Sequence, residues 1–134
     1  MRLVALTTML CVRDISNAVA FYRDKLGFDV VEQDEEIALL RLRADHLYVF
    51  AESPPTVDKP SVHLAPPPDP GRGSVILVLT VDDCRAAYDE LRGRGVEFLM
   101  PPRQPPWGGW RCFAHDPDGH LLELEDWAAG QLAR

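Results

Sequence analysis

Histidines and cysteines are the residues of this 134-residue chain best suited to metal, acid/base or nucleophilic chemistry, and their spacing argues against most of it. His46, His63, His115 and His120 show no i, i+4 or close pairing of the kind that places two imidazoles on one metal ion. His115 stands beside Asp116, a neighbourhood suited to acid/base work, yet it precedes a turn and reads as structural. Cys11 and Cys112 fall in apolar runs without a basic neighbour placed to lower a thiol pKa, so neither reads as a nucleophile. With Cys84 they make an odd set that lacks C-x-x-C spacing. That fits a reduced, cytoplasmic setting better than a disulfide framework or a zinc knuckle. These patterns therefore predict no catalytic residue, no metal and no cofactor.

What remains is binding chemistry. Trp107 and Trp110 sit in or beside a Pro- and Gly-rich loop, residues 101–109, where two large rings can stack on a flat ligand or fill a core or a dimer interface. A net charge of -7 disfavours nucleic acid, because such binding depends on Lys and Arg neutralising phosphates. No apolar run approaches the roughly 20 residues of a membrane span, and no secretory leader is evident.

The elements that must position these residues repeat. An apolar run over residues 3–13 ends in Val12-Arg13-Asp14, where Asp14 or Ser16 can cap a helix over residues 15–26 that Gly27 stops. Strands are predicted over residues 28–33, 37–42 and 46–52. A proline-rich linker over residues 53–73 follows, strand-like only near residues 61–64. The pattern then restarts: a strand over 74–81, capping Asp82-Asp83, a helix over 84–92 that Gly93 and Gly95 stop, and strands over 96–100, 110–114 and 120–126, with Asp116-Pro117-Asp118-Gly119 turning between the last two. The chain reads as one α+β domain of two βαβββ modules, residues 1–52 and 74–127, forming a curved mixed sheet with helices outside.

The run from Ala20 to Phe28, "AFYRDKLGF", and the run from Asp116 to Leu124, "DPDGHLLEL", together resemble the glyoxalase/bleomycin resistance/dioxygenase (vicinal oxygen chelate) superfamily. The resemblance implies divalent-metal ligands on the first and last strands of each half. The positions it points to are Thr7, Ile76, Tyr48 and Glu123, of which only Glu123 carries a competent ligand group. It also implies a precedent: bleomycin-resistance-type members lack the metal set, form homodimers and hold a drug in an aromatic-lined groove.

Counting by twos from those positions gives an expected pocket lining of Thr7, Met9, His46, Tyr48, Phe50, Ile76 and Glu123, joined by Trp107 and Trp110. The lining is apolar with one carboxylate. The expected function is that of a non-catalytic, homodimeric small-molecule binder for a planar aromatic or antibiotic-like ligand. The alternative is an enzyme of the same superfamily, a lyase, isomerase or dioxygenase with a displaced or absent metal site.

Overall fold

The computed structural model describes residues 1–127, and its contacts fall into two compact units that meet in sequence between Pro68 and Asp69. The first contains β1 (Thr8–Val12), α1 (Ile15–Ala20) with a π-helical turn over Phe21–Lys25, β2 (Asp29–Gln33), β3 (Ile37–Leu42) and β4 (Asp45–Ala51). Its sheet runs β1-β4-β3-β2, with β1 parallel to β4 and the other pairs antiparallel. The second contains β5 (Ile76–Thr80), α2 (Cys84–Gly93), β6 (Arg111–His115) and β7 (Leu121–Glu125), ordered β5-β7-β6 with β5 parallel to β7. Each unit is thus an α+β arrangement of one open mixed sheet and one helical segment.

Both helices begin for the same reason. Asp14 and Asp83 hold extended backbone, and their carboxylates accept from the N–H groups of Asn17 (3.0 Å) and Ala86 (3.1 Å), satisfying donors that the first turn leaves without partners. Both end at glycines in the left-handed region, Gly27 at φ 84° and Gly95 at φ 91°. At the second of these the Val96 N–H reaches back to the Leu91 carbonyl and the Gly95 N–H to that of Arg92, which closes the last turn. The first helix widens before it stops. Its π-helical turn buries Tyr22 completely, edge-on to Phe21 and Phe28.

Period-two alternation decides which sheet face each helix covers. In the first unit Leu10, Val12, Ala38, Leu40, Leu47 and Val49 are buried together with Ala18, Val19 and Tyr22. In the second, Cys112, Ala114, Leu122 and Leu124 are buried with Cys84 and Leu91. Among the described residues, the opposite face of each sheet has no helix of its own unit over it.

The second unit departs from the expected pattern at residues 96–100, where a strand is predicted and only an isolated bridge, Phe98 to Ala114, forms. Pairing resumes at Arg103 and Arg111. Between those bridges one chain advances five residues and the other three, so two residues bulge out around Pro101 and Pro102. Proline has no N–H to give to a ladder, and two in succession break it. In the linker, likewise, residues 61–64 contribute only the bridge from Leu64 to Ser53. That segment is pinned by Lys59, whose ammonium donates to the carbonyls of Ser53, Pro54 and Val62.

Three polar devices fix the second unit. The Asp116 carboxylate accepts from the Asp118 and His120 N–H groups, both at 2.9 Å, and Gly119 at φ 92° completes the turn. Asp126 spans two elements: one oxygen accepts from the Cys84 N–H at the start of α2 (2.8 Å), the other from the Trp110 N–H just before β6 (2.7 Å). Beneath them the Cys84 and Cys112 sulfurs lie 3.8 Å apart, both buried. Burial pushes both thiols up from their ordinary 9.0, Cys112 the further.

Asp126→Ala should cost about 2–4 kcal/mol by denaturant unfolding, since it strands two N–H groups that now bond a carboxylate. The thiols set a pH dependence of known sign. Above pH 9.0 the unfolded chain ionises them while the fold keeps them neutral. The thiols' contribution to stability should therefore hold steady below that pH and fall above it, by up to about 1.4 kcal/mol per pH unit for each thiol. A Cys84→Ala/Cys112→Ala variant should show a flatter alkaline limb than the parent in urea titrations. An unchanged slope would remove the thiols from the account.

Candidate functional site

The face of the first sheet turned away from α1 is built by register. Met9 pairs with Tyr48 and Cys11 with Phe50, while on the other side of β4 Ile37 pairs with Phe50, Leu39 with Tyr48 and Arg41 with His46. Aromatic and aliphatic side chains thus form a continuous patch, with His46 and Arg41 at its polar end. Cys11 is shielded there because the linker folds back, its Sγ lying 3.7 Å from the Leu64 carbonyl.

That return of the linker makes a groove of about 800 Å³, within the range of small-molecule sites. Met9, Ile37, Phe50, Leu64 and Pro55 supply its apolar wall, and Glu36 and Glu52 lie on its rim. Glu52 is already engaged, 2.7 Å from the His63 Nε2. Met9 remains half exposed. Thr7 lies before β1 and is exposed, outside this lining.

In the second unit Ile76 pairs with Leu121, and Glu123 lies between Val78 and Phe113. Ile76 and Val78 are nearly half exposed on the face turned from α2. The two tryptophans part company. Trp107 is 60% exposed and stacks over Arg111, whose guanidinium is 5.1 Å from its ring and 5.3 Å from that of Phe113. Trp110 shares the parity of Cys112 and Ala114 and carries Arg85 of α2 over its ring at 4.4 Å. The strand's alternation sends neighbouring positions 110 and 111 to opposite faces, so the two rings meet different surroundings. The sequence reading missed Ile37, Leu39, Arg111 and Phe113 because it did not extend the alternation to β3 and β6.

The neighbouring His115 and Asp116 are both occupied. His115 contacts the Pro70 carbonyl through Nε2 at 3.0 Å, and the Asp116 carboxylate is committed to its turn, so the two form no relay. The superfamily's metal can be tested against the donors at the positions named for it. Ile76 offers carbon only, and Thr7 and Tyr48 offer neutral oxygens, so Glu123 would be the sole anionic ligand. Those four residues do not fit a divalent metal. Among the described residues no three His, Cys, Asp or Glu side chains gather in a set that could hold one, nor is any helix long and apolar enough to cross a membrane.

A family model described as the Glyoxalase/Bleomycin resistance protein/Dioxygenase superfamily matches residues 5–124. A bleomycin resistance protein of Klebsiella pneumoniae is 28% identical over 125 residues, covering 88% of each chain. Of solved structures, a glyoxalase/bleomycin resistance protein/dioxygenase from Nocardioides superposes with a TM-score of 0.77 at 23% identity, over 99% of this chain and 92% of its own. A bleomycin-binding protein solved in complex with bleomycin superposes with a TM-score of 0.66 at 26% identity, over 94% of this chain and all of its own. With the βαβββ order of the first unit and its weakened echo in the second, these matches identify the chain as a member of the glyoxalase/bleomycin resistance protein/dioxygenase superfamily.

Proposed function

We propose that this chain is a non-catalytic small-molecule-binding protein that holds a planar, largely apolar ligand by burial and stacking. The observation that carries the reading is the groove of about 800 Å³ walled by Met9, Ile37, Phe50 and Leu64. Apolar side chains are held half open there, and its titratable residues are at the rim. An aromatic ligand seated on Phe50 would gain both area burial and ring stacking. Tyr48, next along the same face, extends the platform, and His46 sets its polar limit. Exposed Trp107 offers a second ring surface in the other unit, alongside Ile76 and Glu123 on the open sheet face.

Two relatives support this choice over catalysis: one bears the name bleomycin resistance protein, and one was solved holding bleomycin. The poor donor set at the superfamily's metal positions points the same way. We propose in addition that the working form is a homodimer, which would give the open apolar faces a partner.

The test is calorimetric titration of metal-stripped protein with planar aromatic compounds, including aromatic antibiotics, followed by chromatography of the recovered ligand. Saturable binding with the ligand returned unchanged is expected, and Phe50→Ala should weaken it at least about tenfold. Conversion to a new product, or turnover on adding a divalent metal, would put the superfamily-enzyme alternative in its place. Sedimentation equilibrium at micromolar protein should give twice the chain mass, whereas a single-chain mass would rule out the dimer.

A further inference from the structure

The most unusual electrostatic feature of the second unit is a pair of arginines set opposite one another. Arg103 and Arg111 exchange both backbone hydrogen bonds, each 2.9 Å, so they form a closely bonded antiparallel pair. Directly opposed residues of such a pair project to the same side, and like charges there repel. A chain with 21 acidic residues against 14 basic ones has carboxylates to spare, yet among the described residues neither guanidinium forms an ion pair. The nearest acidic partner in the ladder is Glu125, opposite Arg111 on β7, and it accepts instead from the Trp127 indole N–H.

Arg111 is also prepared. Its guanidinium carbon lies over the Trp107 and Phe113 rings, 5.1 and 5.3 Å from their centroids. A guanidinium placed over aromatic rings still has its N–H donors for hydrogen bonding. Both arginines line a pocket of about 380 Å³ that also includes Leu99, Met100, Pro105 and Phe113. Leu99 and Met100 are more than half exposed beside this double positive charge. Two forks of donors at one end and an apolar wall at the other match an amphiphilic anion.

We propose that the Arg103–Arg111 pair is a binding subsite for the carboxylate or phosphate of a small molecule whose remaining body is aromatic or aliphatic. The anion would relieve the repulsion between the two guanidiniums, and the apolar body would cover Leu99, Met100 and Phe113. The subsite lies wholly within the second unit and does not require the groove of the first to be filled.

Trp107 stands on Arg111 and so provides the signal. Its fluorescence is to be titrated at low salt with 2-naphthoate, 2-naphthyl phosphate, neutral 2-naphthalenemethanol and cationic 2-naphthylmethylammonium, using the parent, Arg111→Gln, Arg103→Gln and Arg103→Lys. At least one anion should bind about tenfold or more tighter than the neutral and cationic probes, and either glutamine variant should abolish that preference while Arg103→Lys keeps part of it. Naphthoate alone would assign a carboxylate, naphthyl phosphate alone a phosphate, and both an unselective anion site. Thermal unfolding supplies a readout free of fluorescence. Without anion, exposed Arg103→Gln should melt at or above the parent temperature, and the preferred anion should raise the midpoint of the parent but not of the variant. Equal binding of neutral and anionic probes, a preference for the cation, or an anion preference surviving both glutamine variants would overturn the proposal.

Discussion

A sheet has two faces, and among the described residues each unit supplies one helical segment to cover them. From that shortage follows the division of labour along every strand but β2. Positions facing the helix are filled by Leu, Val, Ala and Cys at near-complete burial, while alternate positions carry Met9, Phe50, Ile76 and Val78, which their own unit leaves partly open. Apolar area left accessible costs on the order of 25 cal/mol for each Å² that burial would have removed from water. Much of any protein's surface is apolar, so such area is informative only where it is gathered into a patch or a groove. The proline-rich linker covers part of it in the first unit, returning across Cys11 and turning a flat apolar patch into a walled groove.

Superfamily membership constrains the chemistry less than the side chains do. The same scaffold can carry unrelated functions, and activity is read from the site. The positions that would be asked to hold a metal carry an isoleucine, a threonine and a tyrosine beside one glutamate. His63 and Glu52 pair in the open, and Asp116 and Asp126 spend their oxygens on backbone N–H groups. Carboxylates that brace turns and helix starts do structural work, and taking them for reaction chemistry would unfasten the second unit.

Much of this was legible in the residues. Asp14 and Asp83 as caps, Gly27 and Gly95 as stops, the turn at residues 116–119 and the strand over Ile37–Leu42 were each announced by local signals whose physics is short-range. Alternation also divided most of the strand positions between the helix-facing and open sides. The failures were non-local. The run from Val96 to Met100 has the composition of a strand, but ladder formation depends on partners across the sheet and on the prolines that follow. The adjacency of Cys84 and Cys112 depends on how α2 lies over β6, which no spacing in sequence encodes. The loop that carries Trp107 and Trp110 leaves ligand stacking and core filling open for both rings, and it takes the register beyond Trp110 to set that ring beneath Arg85 of α2 while Trp107 stays exposed.

The bulge at Pro101 and Pro102 has a consequence for the protein's life among other chains. Within its sheet β6 is one of the two outermost regular strands, and the segment alongside it pairs with it only through two isolated bridges, at Phe98 and at Arg103. An unbroken strand in that place would present a straight row of amide and carbonyl groups to any extended peptide nearby, the template from which runaway strand addition grows. Two residues without N–H groups, set in a bend, spoil that template. The interruption that cost the second unit a strand therefore also blunts an edge along which copies could stack into fibrils.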